Sequence, residues 1–202
     1  VSAEEGKEAK EVRPVLAVPG SKAELGKPAP GFTLGDESGK PISLDAYKGK
    51  VVVLEWFNPD CPFVKASHEK GSMKGAMKKA ADSGAVWLGI NSAAPGKQGH
   101  GAERNAASKK QWNLAHPILM DEGGEVGRAY GAQRTPHMYV IDAAGVLVYA
   151  GAIDNSPDGE GASPKDGKLV FHVVEALDDV AAKRPVKIAT TEPYGCSVKY
   201  EK

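Results

Sequence analysis

Apolar residues come in short bursts along this chain, and the spacing inside each burst predicts an element. Residues 51–57 are an almost unbroken β-branched and aromatic run, the pattern of a strand buried on both faces of a largely parallel sheet. Residues 85–91, AVWLGIN, are a second such run. Phe32-Thr33-Leu34 and Ile42-Ser43-Leu44 flank a turn at 36–40 and predict a small hairpin. Residues 137–142 and 146–152 flank Asp-Ala-Ala-Gly and predict an antiparallel hairpin nearer the end. Between these segments the pattern turns helical. Residues 62–82 open on Pro62, which suits a first helical turn because its missing N–H needs no partner there. Residues 101–112 and 122–130 read as further helices, and 170–183 put Val170, Val173, Val174, Leu177 and Val180 on one stripe. The predicted class is α/β, with a central mixed sheet flanked by helices.

The ends read differently. Residues 1–22 begin with Glu, Lys, Ala and Gly and few large apolar side chains, too little buried surface to repay ordering, so a mobile leader is expected. Residues 185–202 are too short for a domain and form a tail carrying Cys196, which leaves 23–184 as one folded unit. Composition agrees with one core: hydrophobic residues are 41% of 202, and 24 glycines with 14 prolines imply many turns. Lys plus Arg equals Asp plus Glu at 26 each, so no nucleic-acid or anionic-membrane partner is indicated. No run reaches the roughly 20 apolar residues of a membrane span. The sequence starts at Val1 without methionine, which fits a removed leader and an exported, periplasmic or extracellular protein.

The chemistry centres on Cys61. A strand that ends in a loop and delivers cysteine to a helix start places sulfur beside unpaired N–H groups and the positive end of the helix dipole, both of which favour thiolate over thiol. Lys65 and His68 fall on the same helical face and would add positive charge. The plain alternative is a small buried hydrophobe.

Phe32-Thr33-Leu34, the strand Gly49 to Leu54 and Trp56-Phe57-Asn58-Pro59-Asp60-Cys61-Pro62 resemble the redoxin branch of the thioredoxin superfamily. Thr135-Pro136-His137-Met138-Tyr139-Val140-Ile141-Asp142, followed by Gly145, is similar to that superfamily's cis-proline segment. The resemblance implies a thioredoxin-like fold with an N-terminal β-hairpin extension and a C-terminal tail. It also implies a thiol oxidoreductase in which Thr135 and Pro136 floor the substrate site beside Cys61, with Asn58 and Lys65 as further substrate contacts. Two departures stand out. Val64 occupies the place of the second cysteine of Cys-x-x-Cys, so no vicinal disulfide can form. Leu54 and Asn58 replace the proline and threonine or serine of the peroxiredoxin signature, and Pro136 stands where its arginine is expected, with Arg134 nearby.

Glu55 takes the place of the acid beneath the superfamily's cysteine. It shares a strand face with Val51, Val53 and Phe57, so burial should raise its pKa and let it exchange protons near neutral pH; a surface pair with Lys50 is the alternative. Three roles are open to Cys196: resolving thiol for an oxidised Cys61, partner in a permanent disulfide that pins the tail, or free thiol. The histidines at 68, 100, 116, 137 and 172 show no metal-ligand spacing, and the Gly-rich stretches 93–101 and 155–167 lack a phosphate-loop Lys-Ser pair and read as surface loops. The expected function is an oxidoreductase needing no cofactor, with a peroxide or protein disulfide as substrate and a separate thiol reductant. The rival reading is a thioredoxin-fold binding module in which both cysteines are structural or free.

Overall fold

The computed structural model describes residues 15–202. β1 (Val15–Leu16) and β3 (Pro41–Ser43) both pair antiparallel with β2 (Phe32–Asp36). Then follow β4 (Val52–Trp56), α1 (Pro62–Glu69), α2 (Met73–Asp82), β5 (Val86–Asn91), α3 (Ala102–Gln111), β6 (Ile118–Met120) and α4 (Glu125–Tyr130). The chain continues through β7 (Arg134–Thr135), β8 (His137–Ile141), β9 (Leu147–Gly151), α5 (His172–Ala181) and β10 (Cys196–Ser197). The main sheet runs β1-β2-β6-β5-β4-β8-β9, and β10 pairs with β7 in a separate two-stranded ribbon.

β4 is central, parallel to β5 and antiparallel to β8, and all five of its residues are buried. Its alternation splits the core into two layers. Leu54 and Trp56 point with Leu88, Ile90 and Tyr139 toward Tyr130 and Val126 of α4. Val53 points the other way, with Trp87, Met138 and Tyr149, toward Met73 and Ala76 of α2 and Val173 and Leu177 of α5. Each such aliphatic or aromatic side chain stabilises the fold by about 1.5–3 kcal/mol relative to exposure, and the two-sided burial is why this strand has no polar face except at Glu55.

Two expectations change. The single helix over 62–82 is two helices, because the N–H groups of Lys70 and Gly71 both close on the Ala66 carbonyl, at 2.8 and 3.0 Å, and end α1. A Cβ on Gly71 would collide with the backbone carbonyl of Gly159, so the break is where the 155–167 loop lies against the helix junction. The mobile leader expected over 1–22 does not extend to its end: Val15 and Leu16 are hydrogen-bonded to β2 opposite Thr33 and Phe32, and Leu16 packs on the core. The rest of that expectation, residues 1–14, lies outside the described residues. β6, three residues long, had no period from which to be read.

Replacing Gly71 by alanine should destabilise the protein by about 1–3 kcal/mol, since a backbone carbonyl cannot swing aside as a flexible side chain can. The urea midpoint measures this; an unchanged midpoint would mean the 155–167 loop gives way freely.

Candidate active site

β4 ends at Trp56, and the next residues form a braced loop. Phe57 N–H donates to the Ile90 carbonyl at 2.8 Å, still in the manner of the sheet, and Cys61 N–H closes a turn on the Asn58 carbonyl at 3.1 Å. The Asn58 amide is engaged at both ends: Oδ1 accepts from Asp60 N–H at 2.9 Å and Nδ2 donates to the Gln98 carbonyl at 3.0 Å. Its observed role is to hold the loop. Gln98 Nε2 donates to the Asp60 carbonyl, and Arg104 clasps the Asp60 carboxylate at 2.6 and 2.8 Å. The stretch 93–101 is therefore more than a surface loop. Ala93 and Ala94 are buried in it, and Gly99 lies so close to Asn58, at φ +80°, that a side chain would strike the amide.

This bracing sets Cys61 at the N-cap of α1, ahead of Pro62. The sulfur has no exposed surface and lies in an apolar cluster with Phe57, Val64, Leu114 and Ile118. Its thiol donates to the Thr135 carbonyl at 3.2 Å. The Thr135–Pro136 peptide is cis, both residues are buried, and the Thr135 hydroxyl has no hydrogen-bond partner among the described residues.

The tail completes the site. Cys196 is paired in register with Thr135, and Ser197 with Arg134. Gly195 makes this approach possible: at φ +120° it faces the Thr135 carbonyl at a distance no Cβ would tolerate. The two cysteines are neighbours and both are free thiols, so the permanent disulfide is not formed in this structure. Burial, then the hydrogen bond and charge of Cys61, push the Cys196 thiol up to about 11 against the weaker pull of Lys199 and the Phe63 N–H, so it keeps its proton at neutral pH.

Lys65 does not join the group. It is exposed and makes no ion pair or side-chain hydrogen bond among the described residues. His68 instead turns inward to Glu55.

Glu55 is fully buried, as its place in β4 predicts, but Lys50 is not its partner. Oε1 meets His68 Nε2 at 2.7 Å, and Oε2 accepts from Trp87 Nε1 at 3.0 Å. The expected upward pKa shift is corrected. Burial is the largest single influence and pushes the carboxyl up, but the charge and hydrogen bond of His68, with His116 and Trp87, together outweigh it and hold Glu55 below the usual carboxylate range. The His68 ring stacks on Trp112 at 5.2 Å and meets the edge of Phe57 at 5.8 Å. Phe57 belongs to the Cys61 cluster, so this ring connects His68 to the apolar surroundings of the sulfur. No sequence spacing marked this arrangement, because its members come from β4, α1, β5 and the end of α3.

His137 follows the cis-proline. Its Nδ1 accepts from Gln133 N–H and faces Tyr139 OH, both at 3.3 Å, and burial pushes it down to about 4. Among the described residues no three His, Cys, Asp or Glu side chains are placed to hold a metal ion, and no helix is long and apolar enough to cross a membrane.

A thioredoxin-like sheet, a cysteine at the start of α1 and a cis Thr-Pro peptide whose threonine carbonyl meets its sulfur define a thiol oxidoreductase. The chain belongs to the redoxin family, whose model matches residues 24–165. It is 28% identical over 134 residues to the thiol-disulfide oxidoreductase ResA of Bacillus thuringiensis, covering 63% of this chain and 69% of that protein. It is 30% identical over 138 residues to the chloroplastic peroxiredoxin Q of Sedum lineare, covering 64% and 70%. It spans only 58% of the wheat peroxiredoxin Q. An uncharacterized conserved protein from Geobacillus kaustophilus superposes with TM-score 0.75 at 28% identity, covering 94% of this chain and 97% of that one.

The sign of the Glu55 shift gives a test. A carboxyl whose folded pKa lies below its unfolded value contributes stability above that value, ordinarily 4.5, and loses it as pH falls through the folded pKa. The wild-type urea midpoint should fall more steeply on acidification than that of Glu55→Gln. Parallel curves would place the acid sensitivity elsewhere.

Proposed function

We propose that Cys61 and Cys196 are the two sulfurs of one redox centre, with Cys61 the nucleophile and Cys196 the resolving thiol. The observation that carries this reading is the seating of the Cys196 thiol beside Cys61 on the Thr135 backbone. The cycle balances. Cys61 thiolate attacks the distal oxygen of a hydroperoxide, the O–O bond breaks, and a proton converts the leaving alkoxide to alcohol, leaving Cys61 sulfenic acid. The Cys196 sulfur then attacks Cys61 sulfur, water leaves, and the disulfide forms. An external dithiol reduces that bond by exchange and is itself oxidised to a disulfide. The thiolate is the attacking form, so Cys196 gives up its proton in this step, and the departing hydroxide takes it to leave as water.

A small oxidant fits a sulfur with no exposed surface. A second reading, exchange with a protein disulfide, is favoured by the absence of the peroxiredoxin threonine and arginine at Asn58 and Pro136. In that case Cys61 attacks one sulfur of the substrate, and Cys196 releases the mixed disulfide. Thr135 and Pro136 would form the floor in either case.

Cys61→Ser should abolish both hydroperoxide consumption and reduction of a model disulfide. Cys196→Ser should consume one equivalent of oxidant and stall, with Cys61 trapped as sulfenic acid or as a mixed disulfide with small thiols. Mass spectrometry of the Cys61 peptide after one turnover checks this. Sustained turnover by Cys196→Ser would remove the resolving role, and a wild-type protein inert toward both oxidants would favour the binding module.

A further inference from the structure

Residues 186–202 have no core of their own, yet they are fastened to the body along their whole length. Thr191 Oγ1 accepts from Ala152 N–H at 2.9 Å and bonds Tyr149 OH at 2.6 Å. Tyr194 OH donates to the buried Asp154 at 2.6 Å, a carboxylate that also takes the Ser72 hydroxyl from the helix junction, and the Tyr194 ring meets the edge of Phe63 at the start of α1. Beyond Cys196, Val198 N–H donates to the Gln133 carbonyl at 3.1 Å and the Lys199 carbonyl accepts from Ala94 N–H at 2.9 Å. Tyr200 then enters a notch on α4. Its ring lies where side chains on Gly124 and Gly127 would stand, Arg128 stacks over it at 4.8 Å, and its hydroxyl reaches the Ala132 carbonyl at 2.8 Å. Cys196 is therefore held between two tyrosine clasps, directly over a sulfur that has no exposed surface.

We propose that this strap is a size-selective gate on Cys61, closed by Tyr194 on one side of Cys196 and Tyr200 on the other. A molecule of a few atoms reaches the sulfur when the Cys196 and Phe63 side chains fluctuate. A protein disulfide needs the free edge of β7 next to Cys61, and β10 fills that edge with its own backbone. Large substrates thus wait on release of the strap, a local opening separate from unfolding of the core. The chemistry being gated rests on the function proposed above, whereas the gate itself does not.

The test labels Cys61 in the reduced full-length protein with iodoacetamide and with a polyethylene-glycol maleimide, reading site and rate by peptide mass spectrometry. Tyr200→Ala empties the α4 notch. Gly195→Ala acts at a different point, forcing a Cβ against the Thr135 carbonyl so that β10 must leave β7. In wild type, the bulky reagent should lag well behind the small one at Cys61. In both variants its rate should rise by about tenfold or more, with the circular dichroism of the body unchanged, because only a local opening has been eased. Wild-type labelling that is insensitive to reagent size, or a bulky-reagent rate unmoved in both variants, would overturn the gate. Gated labelling in an inert protein would sink the proposed function alone, and ungated labelling in an active one would sink the gate alone.

Discussion

Thr135 serves two sulfurs at once. Its carbonyl takes the hydrogen bond of the Cys61 thiol, and its backbone pairs with Cys196, so one residue beside a cis-proline fixes both members of the pair. The surrounding structure supports that residue from two directions. β8 continues from Pro136 into the centre of the sheet against β4, which carries Thr135 to the end of the strand that launches Cys61. The strap arrives from the opposite side, and Gly195 admits it because a side chain there would strike the same carbonyl.

The Glu55–His68 pair adjoins the Cys61 cluster through Phe57, whose ring meets that of His68, and its burial has a cost of its own. Removing a carboxylate from water is unfavourable by several kcal/mol unless its partners are well placed, and a buried pair is weak grounds for a stabilising role in itself. Here both carboxylate oxygens are used, one by His68 and one by Trp87, and the His68 ring is held by stacking on Trp112. The chain thus keeps a hydrogen-bonded Glu–His pair at a place in β4 where an apolar residue would pack. This is the one position at which the strand departs from its otherwise apolar content, and it sits beneath the reactive loop.

The parts of this protein that were legible from residue patterns are those whose cause is local. The apolar runs of β4 and β5, the two hairpins around 36–40 and 142–145, the stripe of α5 and the placement of Cys61 before Pro62 each follow from neighbours in the chain. What was not legible depends on distant partners. α1 and α2 separate because Gly159 lies against Gly71, the 93–101 stretch is ordered by Asn58 and Asp60, and two residues at 196–197 are a strand only because β7 is there to pair with them. Glu55 is a case in between. Its burial followed from strand alternation, but the direction of its pKa followed from His68, which helical spacing had assigned to the face of Cys61.

Val64 leaves no place for a second sulfur one turn into α1. In a Cys-x-x-Cys protein one helical turn forces the two thiols together, and any state with the helix intact keeps them together. Here the corresponding position is a fully buried valine that packs in the same cluster as Cys61, so the helix contributes core in place of a thiol. In the function proposed above the partner is Cys196, 135 residues further along the chain, and its effective concentration at Cys61 is set by how firmly the strap is docked. A free tail of this length would spend most of its time far from the sulfur. The Tyr194 and Tyr200 contacts and the β7 pairing remove that freedom in advance. With the strap gated as proposed, the thioredoxin-like body stays folded while its two sulfurs part, a separation that a vicinal pair does not allow.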